Sequence, residues 1–90
     1  TFGAGVGYHP DYFRCFGVPF AGRGRRFEEV MDCIIGAWTK DEFNYDGEFF
    51  QYEGVRMTPK PYQRPRPPIW IGAFAPKAME RALDYEGWCF

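Results

Sequence analysis

The sequence predicts an α/β fold with parallel strands, and three features carry the prediction. The apolar run Ile69, Trp70, Ile71 ends at Gly72, a helical stretch opens at Pro76, and a second apolar run, Trp88, Cys89, Phe90, follows. A long amphipathic helix precedes that strand–helix–strand unit, and a glycine-rich strand opens the chain. Strands that alternate with helices in this way belong to an α/β barrel or a doubly wound sheet.

Residues 1 to 8, TFGAGVGY, read as a strand. Gly3, Gly5 and Gly7 fall on one face and Phe2, Ala4, Val6 and Tyr8 on the other. Glycines on one face let a backbone or a ligand come close. From Phe27 the residues Val30, Met31, Ile34, Ile35 and Trp38 continue an apolar stripe at helical spacing. Glu28, Glu29 and Asp32 are expected in its first turns, suited to the positive end of the helix dipole and paired with Arg25 and Arg26. Asp46 and Gly47 between aromatic flanks predict a β-hairpin over 43 to 52 with a type I′ turn. Five of the eight prolines lie between Pro59 and Pro68, which predicts a stiff, straight approach to the strand at Ile69. The next helix runs from Pro76 to about Tyr85 with Ala78, Met79, Ala82 and Leu83 as its apolar face, and Gly87 stops it. The two strands flanking it should be parallel, with a right-handed crossover.

With 46% hydrophobic and 21% aromatic residues, the 90-residue chain is far too rich in core-forming side chains to be disordered. A formal net charge of −1 supplies no field to attract nucleic acid or an anionic membrane. No apolar run approaches the roughly 20 residues of a membrane helix. Cys15, Cys33 and Cys89 fit neither a disulfide framework nor a zinc pattern, so no metal site is expected and a cytoplasmic setting is. The absence of an initial methionine and the final apolar run suggest a piece of a longer protein.

GAGVGY lacks the third glycine of a dinucleotide fingerprint, since Tyr8 stands where it is required. GRGRR, residues 22 to 26, is not a P-loop and reads most simply as a solvated helix entry paired to nearby acids, with a direct anion role as the less favoured alternative. His9, the single histidine, is either a general base or an ordinary residue at a strand exit. Pro65 to Pro68 has the P-x-x-P form read by partner domains, so a non-enzymatic interaction module is one alternative. The most chemical feature is the turn Gly72 to Ala78. Gly72 and Ala73 remove side-chain bulk where backbone N–H groups meet a new helix, and Lys77 sits in its first turn, where an anion would compensate the dipole.

Three stretches, FRCFGVPFAGRGRRFEEVMDCIIGAW, GEFFQYEGVRMTPKPYQRPRPPIWIGAFAPKAMERA and the closing EGW, resemble the luciferase-like monooxygenase family. The resemblance implies a partial TIM-type (β/α)8 barrel with a β-hairpin excursion. Residues 1–90 would then form the middle portion of one barrel domain of about 250 residues or more. It implies reduced FMN, or a deazaflavin coenzyme, as cofactor, a small-molecule substrate oxidised with molecular oxygen, and a homo-oligomeric parent. Carried over by position, Gly5, Val6, Gly7 and Tyr8 correspond to a strand end that approaches the flavin and its phosphate. Gly72, Ala73, Phe74, Ala75 and Lys77 correspond to a second phosphate-contacting loop. The sequence departs from bacterial luciferase at Val6, where that enzyme carries arginine, and at Phe74 and Lys77, where it carries small polar residues. The family's proton-handling residues lie mainly on other strands, so no catalytic residue is assigned. A barrel relative that has lost its cofactor is the second alternative.

Overall fold

A computed structural model of the protein describes residues 1–73 and 75–89. The chain divides into two compact units, one made of residues 1–25 and 68–90, the other of residues 26–67.

The first unit is built on a three-stranded parallel sheet. Its strands are β1 (Phe2–Gly5), β4 (Ile69–Gly72) and β5 (Gly87–Cys89), in the order β1-β4-β5. Phe2 pairs with Ile69 and Gly5 with Gly72, while Trp70 pairs with Gly87 and Gly72 with Cys89. The parallel strand–helix–strand unit is as the sequence predicts. Ile69 and Ile71 are fully buried on one face of β4, whereas Trp70 points outward and is 46% exposed. The indole of Trp70 lies on Gly87, where an added Cβ would come within 2.5 Å of the ring. Gly87 is therefore a strand residue that makes room for Trp70, not a helix stop. Glu86 locks the entry of β4, its carboxylate accepting from the Ile69 N–H at 2.9 Å while its own N–H donates to the Ile69 carbonyl at 3.1 Å.

The helix between these strands, α3 (Pro76–Ala82), is shorter than its apolar spacing predicts. Ala82 is buried, but Leu83 is 82% exposed beyond the last turn, so the expected apolar face shrinks to its small residues. β1 likewise stops at Gly5, because Gly7 adopts a φ of +92° and turns the chain out of the strand. A short helix that the sequence analysis does not predict follows, α1 (Pro10–Cys15), with Pro10 in its first turn. His9 caps it: Nδ1 accepts from the Asp11 N–H at 3.2 Å, and the ring lies 4.9 Å from that of Tyr12.

The long helix α2 (Arg23–Thr39) begins four residues before its apolar stripe, so its first turn is arginine-rich and carries no acid. Phe27, Met31 and Gly36 are its buried positions, and Phe43 occupies the space where a Gly36 side chain would stand. In the second unit α2 accompanies a two-stranded antiparallel ribbon, β2 (Phe43–Asp46) and β3 (Gln51–Val55). The hairpin is as predicted, but its turn is not. Asp46 pairs with Gln51, so residues 47–50 form the loop, and Gly47 has no positive φ. A type I′ turn needs positive φ at both central residues.

Glu29 supplies the loop's missing partners. Its carboxylate accepts from the N–H groups of Glu48, Phe49 and Phe50 at 2.8, 3.0 and 3.2 Å. It serves the hairpin rather than the helix dipole. Within the ribbon's irregularity, opposite Asn44, Gly54 has φ +67° and donates its N–H to Asn44 Oδ1 at 2.7 Å. The phenol of Tyr45 donates to Asp32 at 3.1 Å. Burial, that bond and the negative charges of Asp32 and Glu29 push its pKa up to about 12. The proline segment is not straight: the chain bends at Thr58–Pro59 and again over residues 62–65. Lys60 anchors it by donating to the Ala37 carbonyl at 2.8 Å.

Candidate functional site

Above the C-terminal ends of β1 and β4, the first unit borders a half-open hollow of about 780 Å³. One wall is the end of β1 and the turn after it, Gly5, Val6, Gly7 and Tyr8; another is Gly72, Ala73, Ala75 and Lys77. The structure thus brings together eight of the nine residues assigned to a ligand from sequence. The ninth, Phe74, lies outside the described residues. A hollow beyond the carboxyl ends of parallel strands is the place where open and closed α/β sheets take ligands.

Two of its glycines have no internal reason to be glycine. A Cβ on Gly5 would meet only the Gly72 carbonyl, at 3.8 Å, and one on Gly72 only the Ala4 carbonyl, also at 3.8 Å. Both distances are ordinary contacts, so the bare backbone leaves space for something other than the protein. Gly7 differs. Its φ of +92° and the Phe13 ring, 3.0 Å from an added Cβ, make glycine a requirement of the fold there.

The hollow is cationic. Lys77, Arg23 and Arg81 line it, and no carboxylate does so among the described residues. The sequence singles out neither arginine as a ligand residue; Arg23 enters there only through the less favoured anion reading of GRGRR. Arg23 is oriented by two contacts: Nε donates to the Gly7 carbonyl at 3.2 Å, and the guanidinium lies 3.8 Å over the Phe20 ring. Phe20 in turn meets Phe13 edge-on at 5.2 Å. Phe13, Phe20 and Arg23 therefore brace the turn at Gly7 from below. The available signal is GRGRR, whose first arginine stands at the helix entry the sequence predicts, as the first residue of α2.

The turn after β4 offers less than the sequence suggests. The Ala73 N–H donates to the Cys89 carbonyl at 3.0 Å, and the Ala73 carbonyl accepts from Trp88 Nε1 at 2.9 Å. Both backbone groups of Ala73 are thus occupied. Ala75, at the N-cap of a seven-residue helix, adds no side-chain capping bond. Attraction for an anion here comes from side-chain cations more than from free backbone donors.

A second hollow, of about 690 Å³, lies along Tyr45, Asp46, Gln51 and Tyr52 on the hairpin. Among the described residues its lining comes only from the two-stranded ribbon, so it lacks the enclosure of a ligand site. Among the described residues no three histidines, cysteines or carboxylates gather as metal ligands, and Cys15, Cys33 and Cys89 are free thiols. Burial and the neighbouring Asp32 and Glu29 charges raise the Cys33 pKa, which disfavours its reactive thiolate. No described helix is long and apolar enough to cross a membrane.

The model of a family described as luciferase-like monooxygenase matches residues 1–88. An uncharacterized protein of Mycobacterium tuberculosis (strain ATCC 25618 / H37Rv) is 38% identical over 86 residues, which cover 96% of this chain and 29% of that protein. An FMNH(2)-dependent dimethylsulfone monooxygenase of Pseudomonas putida is 34% identical over 93% of this chain and 24% of its own length. Among solved structures, the monooxygenase RslO1 from Streptomyces bottropensis superposes with a TM-score of 0.78 at 28% identity, over 89% of this chain and 25% of that one. The chain therefore spans less than a third of the length of each of these relatives.

Proposed function

Because the chain belongs to the luciferase-like monooxygenase family, we propose that it forms one part of a TIM-type barrel and contributes the phosphate end of a reduced-FMN site. The parent protein would be a flavin-dependent monooxygenase acting on a small organic molecule. The observation that carries this reading is the hollow itself. The turn after β1 and the turn after β4 face one another across it, Gly5 and Gly72 leave its floor bare, and Lys77 and Arg23 supply positive charge. The names of relatives that use FMNH(2) support flavin as the ligand.

The residues present fit such a group. Lys77 would pair with the phosphate as a compact charge, and Arg23 would present the donors that its bond to Gly7 leaves unused. The bare backbone of Gly5 and Val6 would admit the ribityl chain, and Tyr8, 73% exposed, would stand at the rim. Reduced flavin supplies the electrons with which molecular oxygen is activated, while the protein orients it and keeps water away. The part played by this chain is binding and orientation. No proton transfer is assigned to any of its residues.

The test is a titration of FMN and of riboflavin into the full-length protein and its Lys77→Ala variant. A charge-assisted hydrogen bond contributes about 1.5–3 kcal/mol, so FMN affinity should fall roughly ten- to hundredfold. Riboflavin, which has no phosphate, should be affected less. No loss for FMN would place Lys77 in solvent, and an equal loss for both ligands would mean that Lys77 does not act through the phosphate; either result removes the phosphate from this hollow.

A further inference from the structure

The helical Gly24 lies directly beneath the guanidinium of Arg81. A Cβ built on Gly24 would stand 2.8 Å from Arg81 Nη2, 3.6 Å from Cζ and 3.8 Å from Nη1. Glycine in the first turn of a helix is a poor choice for stability, since alanine forms helix better. The gap it leaves is filled by a charged group from α3, and both residues line the cationic hollow. Without that gap, the guanidinium would have to move away from the first turn of α2, where Arg23 stands.

We infer that Gly24 is a positioning residue that seats Arg81 as a further cation for the phosphate of the bound flavin. The inference rests on the flavin reading given above and deepens it. Lys77 and Arg81 come from one helix, one turn apart, while Arg23 comes from another. A phosphate lying among them would be approached from two sides, which a planar guanidinium with paired donors suits better than a second ammonium. Gly24 then acts on ligand binding only through the place it gives Arg81.

The experiment uses the full-length protein with Gly24→Ala, Arg81→Ala and the double variant, titrated with FMN and with riboflavin, alongside denaturant unfolding. Arg81→Ala should weaken FMN roughly ten- to hundredfold with little change for riboflavin. Gly24→Ala meets only the far end of a flexible side chain, so its unfolding midpoint should be unchanged or higher. Its FMN affinity should nevertheless drop by about tenfold, with riboflavin spared. In the Arg81→Ala background, Gly24→Ala should have no further effect. Equal losses for FMN and riboflavin, an undiminished FMN affinity in either single variant, or full additivity in the double variant would overturn the inference and leave the flavin reading standing. If the unsubstituted protein binds neither flavin, both fall together.

Discussion

Gly5 and Gly7 lie two residues apart in one wall of the hollow, yet physical chemistry separates their roles. Gly7 holds a backbone conformation that costs a residue with a Cβ about 1–3 kcal/mol, and Phe13 leaves no room beside it. Gly5 has an ordinary strand conformation and open space above it. Gly7→Ala is expected to lower the stability of the full-length protein by about that amount. Gly5→Ala should stay within about 0.5 kcal/mol of the parent while weakening FMN, because its methyl group enters the space left for the ligand. Denaturant midpoints and flavin titrations on the two variants check this. A stable Gly7→Ala protein, or a Gly5→Ala protein with undiminished flavin affinity, would contradict it. In the sequence the two glycines are indistinguishable, because alternation along a strand reports which face a residue occupies and not what lies above that face.

At the scale of elements, Glu29 shows how one side chain completes another element's hydrogen bonding. Both carboxylate oxygens act as acceptors, one for Glu48 and the other for Phe49 and Phe50. Glutamine would turn an amide donor toward one of those N–H groups, so it cannot substitute. Glu29→Gln and Glu29→Ala should each destabilise the hairpin by about 1.5–3 kcal/mol. Hydrogen exchange should show faster exchange at the Glu48, Phe49 and Phe50 amides than at Gln51; unchanged protection of those three amides would refute the role. α2, the hairpin, β4, α3 and β5 are legible in the sequence because apolar spacing, the aromatic flanks of Asp46 and Gly47, and the Gly and Pro at the ends of β4 and α3 are local signals. α1 is not legible, since its six residues are too few for a periodic stripe. The roles of Glu29 and Gly87 differ from those their local sequence predicts, because their partners, the loop 47–50 and Trp70, are distant in the chain. For the same reason Lys77 and the two glycine-bearing turns stand out in the sequence as candidates, whereas Arg81 does not and Arg23 does so only within GRGRR. Their approach to the hollow depends on Gly24 and on where α2 begins.

At the scale of the whole chain, the first unit is ordered around β4, which has a parallel neighbour on each side. The two pairings differ greatly in chain separation. β5 reaches β4 through one short helix, whereas Phe2 meets Ile69 only after every residue of the second unit has intervened. That difference has a kinetic meaning. Closing a long loop costs more entropy than closing a short one, so β4, α3 and β5 should assemble early and β1 should join late. In stopped-flow experiments on the full-length protein, Ile71→Val should therefore slow refolding, since Ile71 is fully buried in the early unit. Ala4→Gly in β1 should chiefly speed unfolding, and a refolding rate that fell as much for Ala4→Gly as for Ile71→Val would reverse the order. During synthesis β1 must accordingly wait, the edge that meets β4 unpaired, until residue 72 has emerged from the ribosome. The hollow above the strand ends, which needs both β1 and β4, is then among the last features of this chain to form.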